Sequence, residues 1–327
     1  MSFNNPLFIV GMPRSGTKLL RDLMNQNPLV SIPDVETNFI PFLVNKFGIK
    51  LSLSTVEEKR EFYKEFSKTT FYFSSVRKGR LIGMEEFITG CDFTSWTTVF
   101  RYIAISYSKK NFGHNVVWGD KTPGYLKVLP LLKEIFPGAR FIHIIRDPRD
   151  YCVSVRKIWN KNIYRAAFRW FKIMKQAQKY DHLFGKDYLK VSYEDLTSDA
   201  QPVLTSICSF LGIDFTDEML SVKKSHEFYG DAKGSTKIIS NSGKFSRELS
   251  DAEIKKIEQL TVPVISEYGY VPVHRVNHES LTSYEDMFYR IQDILMTYRF
   301  HIKDKGLVKG TVYTLKLRNN NLESAGE

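Results

Sequence analysis

The chain has 327 residues, 43% of them hydrophobic and 14% aromatic, so it can bury the core of one large α/β domain or two smaller ones. A charged fraction of 25% is ordinary and excludes wholesale disorder, while the net charge of +11 calls for an anionic partner: nucleotide, acidic glycan, nucleic acid or membrane surface. Three scattered cysteines, Cys91, Cys152 and Cys208, exclude a disulfide framework and favour a reducing compartment.

The first element is a buried strand over Leu7–Val10, followed by the tight loop Gly11-Met12-Pro13-Arg14-Ser15-Gly16 and a helix in which Leu19, Leu20, Leu23 and Met24 recur at helical spacing. A nucleotide triphosphatase loop needs Gly-Lys-[Ser/Thr], with the hydroxyl on magnesium. Here Gly16 precedes Thr17 and Lys18, and the fixed cation comes earlier, at Arg14. Glu36, in "PDVETNF", follows by a short loop. Residues 50–110 read as helical and aromatic-rich. Leu126–Ile135 reads as a helix stopped by Pro137-Gly138, Ala139–Ile145 as a buried strand, and Pro148 as the first turn of another helix. Arg146 falls at that strand's carboxyl end, with Ser154 eight residues on.

Tyr188–Val191 is a third strand candidate. A helix over Ala200–Leu211 stops at Gly212, and another over Ser250–Glu267 carries the capping box Ser250/Glu253. Beyond Pro272 come a helix-like aromatic segment to about Phe300 and a basic tail ending "RNNNLESAGE", expected to fray. Strands alternating with such helices give an α/β fold with a parallel sheet covered on both faces. Ligands of such sheets bind at the strands' carboxyl ends, so Arg14 and Arg146 would hold two anionic groups, as a doubly phosphorylated nucleotide presents. The competing reading pairs Arg146 with Asp147 at the surface.

"GMPRSGT" after a strand, "WGDKTP" at 118–123, "IIRDPRD" with Ser154 downstream, "VSYEDL" at 191–196 and "SGKFSREL" at 242–249 together resemble the sulfotransferases, which use 3'-phosphoadenosine 5'-phosphosulfate (PAPS). The motifs fall in the family's order over about residues 6–270. With arginine in the loop and "ETNF" downstream, the pattern looks closest to tyrosylprotein-type and bacterial enzymes. Pro123 follows Lys121-Thr122 where the steroid and phenol enzymes carry a histidine base.

The resemblance implies a central parallel sheet flanked by helices, of the P-loop nucleotide-binding type. It also implies a transferase domain over 1–272, with a helical acceptor-side insertion at about 37–110 and an extension over 273–327. It implies in-line transfer of a sulfuryl group from PAPS to a hydroxyl of a carbohydrate, lipid, sterol or other small acceptor, without a metal. The loop amides from Arg14 through Ser15, Gly16, Thr17 and Lys18 would cradle the 5'-phosphosulfate. Arg14 would meet charge on the leaving oxygen, a term of ~2.7–4 kcal/mol for such a donor.

Glu36 would be the general base, against the alternative of a cap on a helix beginning near Thr37, with Asp34 as substitute. Lys121 would reach the transferred group, Arg146 and Ser154 the 3'-phosphate. Tyr193 would lie against adenine or else be a core tyrosine, and Lys244 would close over the nucleotide or else sit on a surface loop. Lys18 stays open between phosphate contact and a solvated helix face.

His143 reads as a core histidine, and His114 and His226 lack metal-ligand spacing. Arg165, Arg169 and Lys172 form a stripe read as solvated, near enough to a site to meet an acidic acceptor. No apolar run of about 18 residues occurs, the amino terminus lacks a signal pattern, and the first strand leaves no room for an anchor, so a soluble cytoplasmic protein is expected, without nucleic-acid partners and with a dimer among the open oligomeric states. An ATP-dependent small-molecule kinase and a non-catalytic polyanion-binding protein are the alternatives.

Overall fold

The computed structural model describes residues 5–80, 82–108, 116–223, 231, 233–312 and 314–315. His114, His226 and the terminal "RNNNLESAGE" lie outside the described residues. Five parallel strands form one sheet in the order β2-β3-β1-β4-β5, with β1 at Leu7–Gly11, β2 at Val30–Ser31, β3 at Val117–Lys121, β4 at Arg140–Ile145 and β5 at Tyr188–Ser192. β1 is central and buried along its whole length, as a strand covered on both faces must be. Its register sets Ile9 beside Lys121 and Gly11 beside Ile144, so the carboxyl ends of β1, β3 and β4 finish together. The chain passes from β3 across β1 to β4, which opens a crevice above β1.

Alternation along β1 divides the core. Phe8 and Val10 face a large aromatic cluster with Phe100, Trp118, Phe136 and Phe141; Leu7 and Ile9 face Leu20, Leu23, Ile142 and Ile144 on the other side. Each such fully buried side chain contributes about 1.5–3 kcal/mol. Helix α1 (Thr17–Met24) covers the second face. Between β2 and β3 run α2 (Ile40–Phe47), α3 (Val56–Phe66), α4 (Thr70–Arg77), α5 (Met84–Gly90) and α6 (Trp96–Ser108), the helical aromatic stretch expected from sequence. Their inward faces interlock through Phe39, Phe62, Phe66, Phe71 and Phe87.

A 3-10 turn over Pro123–Val128 leads into α7 (Leu129–Ile135). The single helix expected from Leu126 is thus divided where Pro130, lacking an N–H, occupies the first turn of α7. Next come α8 (Pro148–Trp159), capped by Asp147 and ended by left-handed Asn160, then α9 (Ile163–Ala177), α10 (Tyr180–Phe184), α11 (Tyr193–Ser198) and α12 (Ala200–Leu211), which stops at Gly212 as expected. After α13 (Phe245–Glu248), α14 (Asp251–Ile265) begins at the Ser250/Glu253 capping box. Finally α15 (Ser283–Lys305) packs on α8 and α9. Among the described residues no helix is long and apolar enough to cross a membrane.

Candidate active site

The loop after β1 is shaped by close approach. A Cβ on Gly11 would come 2.5 Å from the Ile144 carbonyl, and one on Gly16 would come 2.4 Å from the Tyr193 ring. Gly16 is left-handed at φ 91°, and so is Arg14 at φ 74°, a conformation that costs a non-glycine residue of order 1–3 kcal/mol. The Ser15 amide donates to the Met12 carbonyl at 3.1 Å and closes the turn. Gly16 then opens α1 without any side-chain cap, so the first-turn amides of α1 point into the crevice with the positive end of the helix dipole. Ser15 is buried, and its Oγ lacks a hydrogen-bond partner.

At the end of β4, Arg146 is 5% exposed. Its terminal nitrogens donate to the Arg14 carbonyl at 2.9 Å and the Asn241 carbonyl at 2.7 Å, and its guanidinium stacks 4.5 Å from the Tyr193 ring centroid. Nε is buried without a partner, and among the described residues Arg146 forms no ion pair. The competing reading, an Arg146–Asp147 surface pair, does not form, because Asp147 is taken by Arg149 at 2.6 Å, which also reaches Glu258 at 2.7 Å. A buried cation without a direct ion-pair partner is costly, and a bound anion relieves that cost.

The Arg14 Nε approaches Ser154 Oγ at 3.4 Å, so Ser154 meets the first arginine as well as lying near the second. Asp150 accepts the amides of Gly243 at 2.6 Å and Phe245 at 2.9 Å, pinning the "SGKF" segment to α8. Lys244 there bonds Asp231 and Asn241, and Asp231 also takes Lys157 at 2.7 Å. Hydrogen bonds from Lys157 and Lys244 hold the Asp231 carboxyl down at about 2.

The third corner rises from β3. Lys121, 1% exposed, places its ammonium 2.6 Å from Glu36 Oε1, while Glu36 is 37% exposed. Glu36 does not cap a helix: α2 starts at Ile40 behind Phe39, and left-handed Asn38 turns the chain between them. The Thr37 amide donates to Asp120 Oδ1 at 3.2 Å and Thr122 Oγ1 at 3.1 Å, and the Thr37 hydroxyl meets Tyr125 at 2.8 Å. The loop bearing Glu36 is therefore tied to the end of β3. Asp120 is fully buried, and that burial pushes its carboxyl up to about 7. Asp34, the substitute base, is engaged elsewhere. Burial raises its carboxyl, but bonds from Lys78 at 2.7 Å and Tyr107 at 2.5 Å outweigh it and bring it to about 2.

Nine of the eleven residues singled out from sequence line one cavity of about 570 Å³: Arg14, Gly16, Thr17, Lys18, Glu36, Arg146, Ser154, Tyr193 and Lys244. Ser15 lies beneath the loop, and Lys121 addresses the cavity only through Glu36. Sequence reading missed Asn38, Asp150, Asp231 and Asn241. Two carried a signal, Asn38 within "ETNF" and Asp150 as the last residue of "IIRDPRD". A second cavity of about 800 Å³ shares Pro13, Asn38, Pro123, Gly124 and Trp159 with the first.

His143 is buried, bonded through Nδ1 to Tyr188 Oη at 2.5 Å, and burial lowers it to about 3, as a core histidine. All three cysteines are buried and free. Among the described residues no cluster of His, Cys, Asp and Glu suits a metal ion. The expected solvated stripe on α9 forms in part: Arg169 and Lys172 are exposed, Lys172 lying 4.1 Å over Phe168, while Arg165 turns inward to Asp293 at 2.9 Å and Asp286 at 3.3 Å.

A model of the sulfotransferase family matches residues 6–217. Protein-tyrosine sulfotransferase A of Caenorhabditis elegans is 27% identical over 229 residues, covering 65% of this chain and 51% of that protein. Protein-tyrosine sulfotransferase 2 of Gallus gallus is 25% identical over 222 residues, covering 65% and 53%. The chain thus spans about half the length of these curated relatives. Among solved structures, the sulfotransferase domain from the Synechococcus PCC 7002 olefin synthase superposes with a TM-score of 0.56 at 22% identity, covering 82% of this chain and 96% of that one. That likeness is one of fold.

Proposed function

The chain belongs to the sulfotransferase family, and we propose that it moves a sulfuryl group from PAPS to an acceptor hydroxyl, releasing adenosine 3',5'-bisphosphate. One observation carries the reading: the uncapped amino terminus of α1, the buried Arg146 without an ion pair, and Glu36, itself held by Lys121, all line one cavity. The residues fit the nucleotide. The orphaned Arg146 Nε and Ser15 Oγ are donors awaiting an acceptor, and phosphate oxygens are acceptors only.

In this reading Arg14 and the amides from Ser15 to Lys18 hold the 5'-phosphosulfate, Arg146 and Ser154 the 3'-phosphate, and Tyr193 the adenine side. Lys244 exchanges Asp231 for the nucleotide. PAPS supplies a sulfuryl group on a good leaving phosphate; its S–O bond breaks as the acceptor O–S bond forms. Glu36 accepts the hydroxyl proton, a step worth roughly 10²–10⁴-fold. Lys121 orients Glu36, and Arg14 stabilises charge that grows on the departing oxygen. We read residues 1–272 as the transferase domain and 273–327 as an extension of it. The buried free thiols support a reducing, cytoplasmic setting.

The test has two arms. Adenosine 3',5'-bisphosphate should raise Tm more than ATP with magnesium does, since a ligand at 100 times its Kd adds about 2.7 kcal/mol. Glu36→Gln should bind the bisphosphate normally yet transfer label from PAPS at about 10²-fold lower rate or less. Stabilisation by ATP-magnesium alone would sink the nucleotide assignment, and a near wild-type rate in Glu36→Gln the base.

A further inference from the structure

The second cavity differs from the first in the source of its wall and in its charge. Arg290, Asp293, Ile294 and Thr297 line it at helical spacing along one face of α15, a helix beyond residues 6–217 that the family model matches. The cations Lys127, Lys161, Arg165, Arg169 and Arg290 face it against one carboxylate, Asp293. Asp293, the one lining carboxylate, is engaged by Arg165 at 2.9 Å. Lys161 and Arg169 form no ion pair among the described residues; the Lys161 ammonium rests 5.4 Å over the Trp159 ring, on the wall shared with the nucleotide cavity. Burial lowers the Lys161 amine; the Asp293 charge raises it, and Arg169 and Arg165 lower it in turn.

We propose that this second cavity is the acceptor site and that the acceptor is a small hydroxyl compound bearing its own anionic group, which Lys161 and Arg169 hold while its hydroxyl reaches Glu36. The inference rests on the transferase reading above. Contiguity carries the first half: Asn38, Pro123 and Gly124 border both cavities, and Asn38 is two residues from Glu36. Charge carries the second. A neutral sterol or alkyl phenol filling this space would strip water from Lys161 without a counter-charge, a cost that a carboxylate, phosphate or sulfate ester converts into attraction. Size selects a small molecule, because about 800 Å³ lies within the range of single-ligand sites.

The test uses the full chain, labelled PAPS and matched acceptor pairs: glucuronate against glucose, glucose 6-phosphate against glucose, 4-hydroxyphenylacetate against its amide. The charged member of at least one pair should show a kcat/KM ten-fold or more above its neutral partner, and the carboxylate and phosphate pairs separate the two anion sources. Lys161→Glu with Arg169→Glu should abolish or invert that preference, and Lys161→Gln with Arg169→Gln should weaken it should the reversal fail to fold. Both double variants should bind adenosine 3',5'-bisphosphate as wild type does. Equal or better use of neutral members overturns the proposal, as does an unchanged preference in the variants. Transfer to an extended acidic peptide but to no small anion, or to no charged probe at all while the bisphosphate binds, overturns it too. Failure to bind the bisphosphate would instead indict the transferase reading.

Discussion

Asp120 shows how much one side chain can couple the fold to the site. Its Oδ1 takes the Thr37 amide at 3.2 Å, its Oδ2 is buried without a partner, and burial lifts its carboxyl to about 7 from an ordinary 3.8. A carboxyl raised on folding gives the native state the larger share of protons. Stability contributed by its neutral form is therefore complete at acid pH and is lost as pH climbs from about 4 to about 7, at no more than about 1.4 kcal/mol per pH unit. Asp120→Asn keeps an oxygen for Thr37 and removes the titration. Thermal unfolding of wild type should accordingly fall between pH 5 and pH 8 relative to the variant, with the variant the more stable at pH 8. A constant difference across that range would show that Asp120 does not titrate there.

At the scale of elements, what the sequence revealed depended on locality. Helix α12 and the Ser250/Glu253 box were readable because a glycine stop and a capping pair act within one turn. Strand β4 was readable as an unbroken apolar run. β3 was missed because "VWGDK" places Asp120 and Lys121 in a strand buried on both faces, where periodicity gives no hint of charge; two-residue β2 leaves no pattern at all.

Most of the residues singled out along the first cavity came from short motifs. Partners supplied from far along the chain, such as Asn241 for Arg146, were not. Arg165 left the solvated α9 stripe for the same reason, since α15 arrives more than a hundred residues later. Asp293 accepts the Asn162 amide at 2.8 Å and Arg165 at 2.9 Å, both at the start of α9. Asp293→Ala should cost roughly 3 kcal/mol, the low end for breaking a largely buried pair, and lower Tm by roughly 4–5 °C. Asp293→Asn, which can still accept from Asn162, should cost less. Thermal unfolding that cannot tell the alanine variant from wild type would show that α15 is not anchored there.

For the whole molecule, 47 lysines and arginines against 36 carboxylates leave a net charge of +11, and two adjoining cavities gather several of those cations. Charge used in this way acts at two ranges that salt can separate. The exposed cations, Arg169 among them, steer an anion from a distance, and screening shortens their reach from about 10 Å at 0.1 M to about 3 Å at 1 M salt. Arg146, 5% exposed and stacked on Tyr193, acts by contact and is screened far less. Stopped-flow binding of adenosine 3',5'-bisphosphate should therefore show an association rate falling about ten-fold or more from low salt to about 0.5 M. The dissociation rate should change much less. If salt instead accelerates dissociation while association stays flat, the bound phosphates lie out on the solvated rim, and the buried guanidinium has another task.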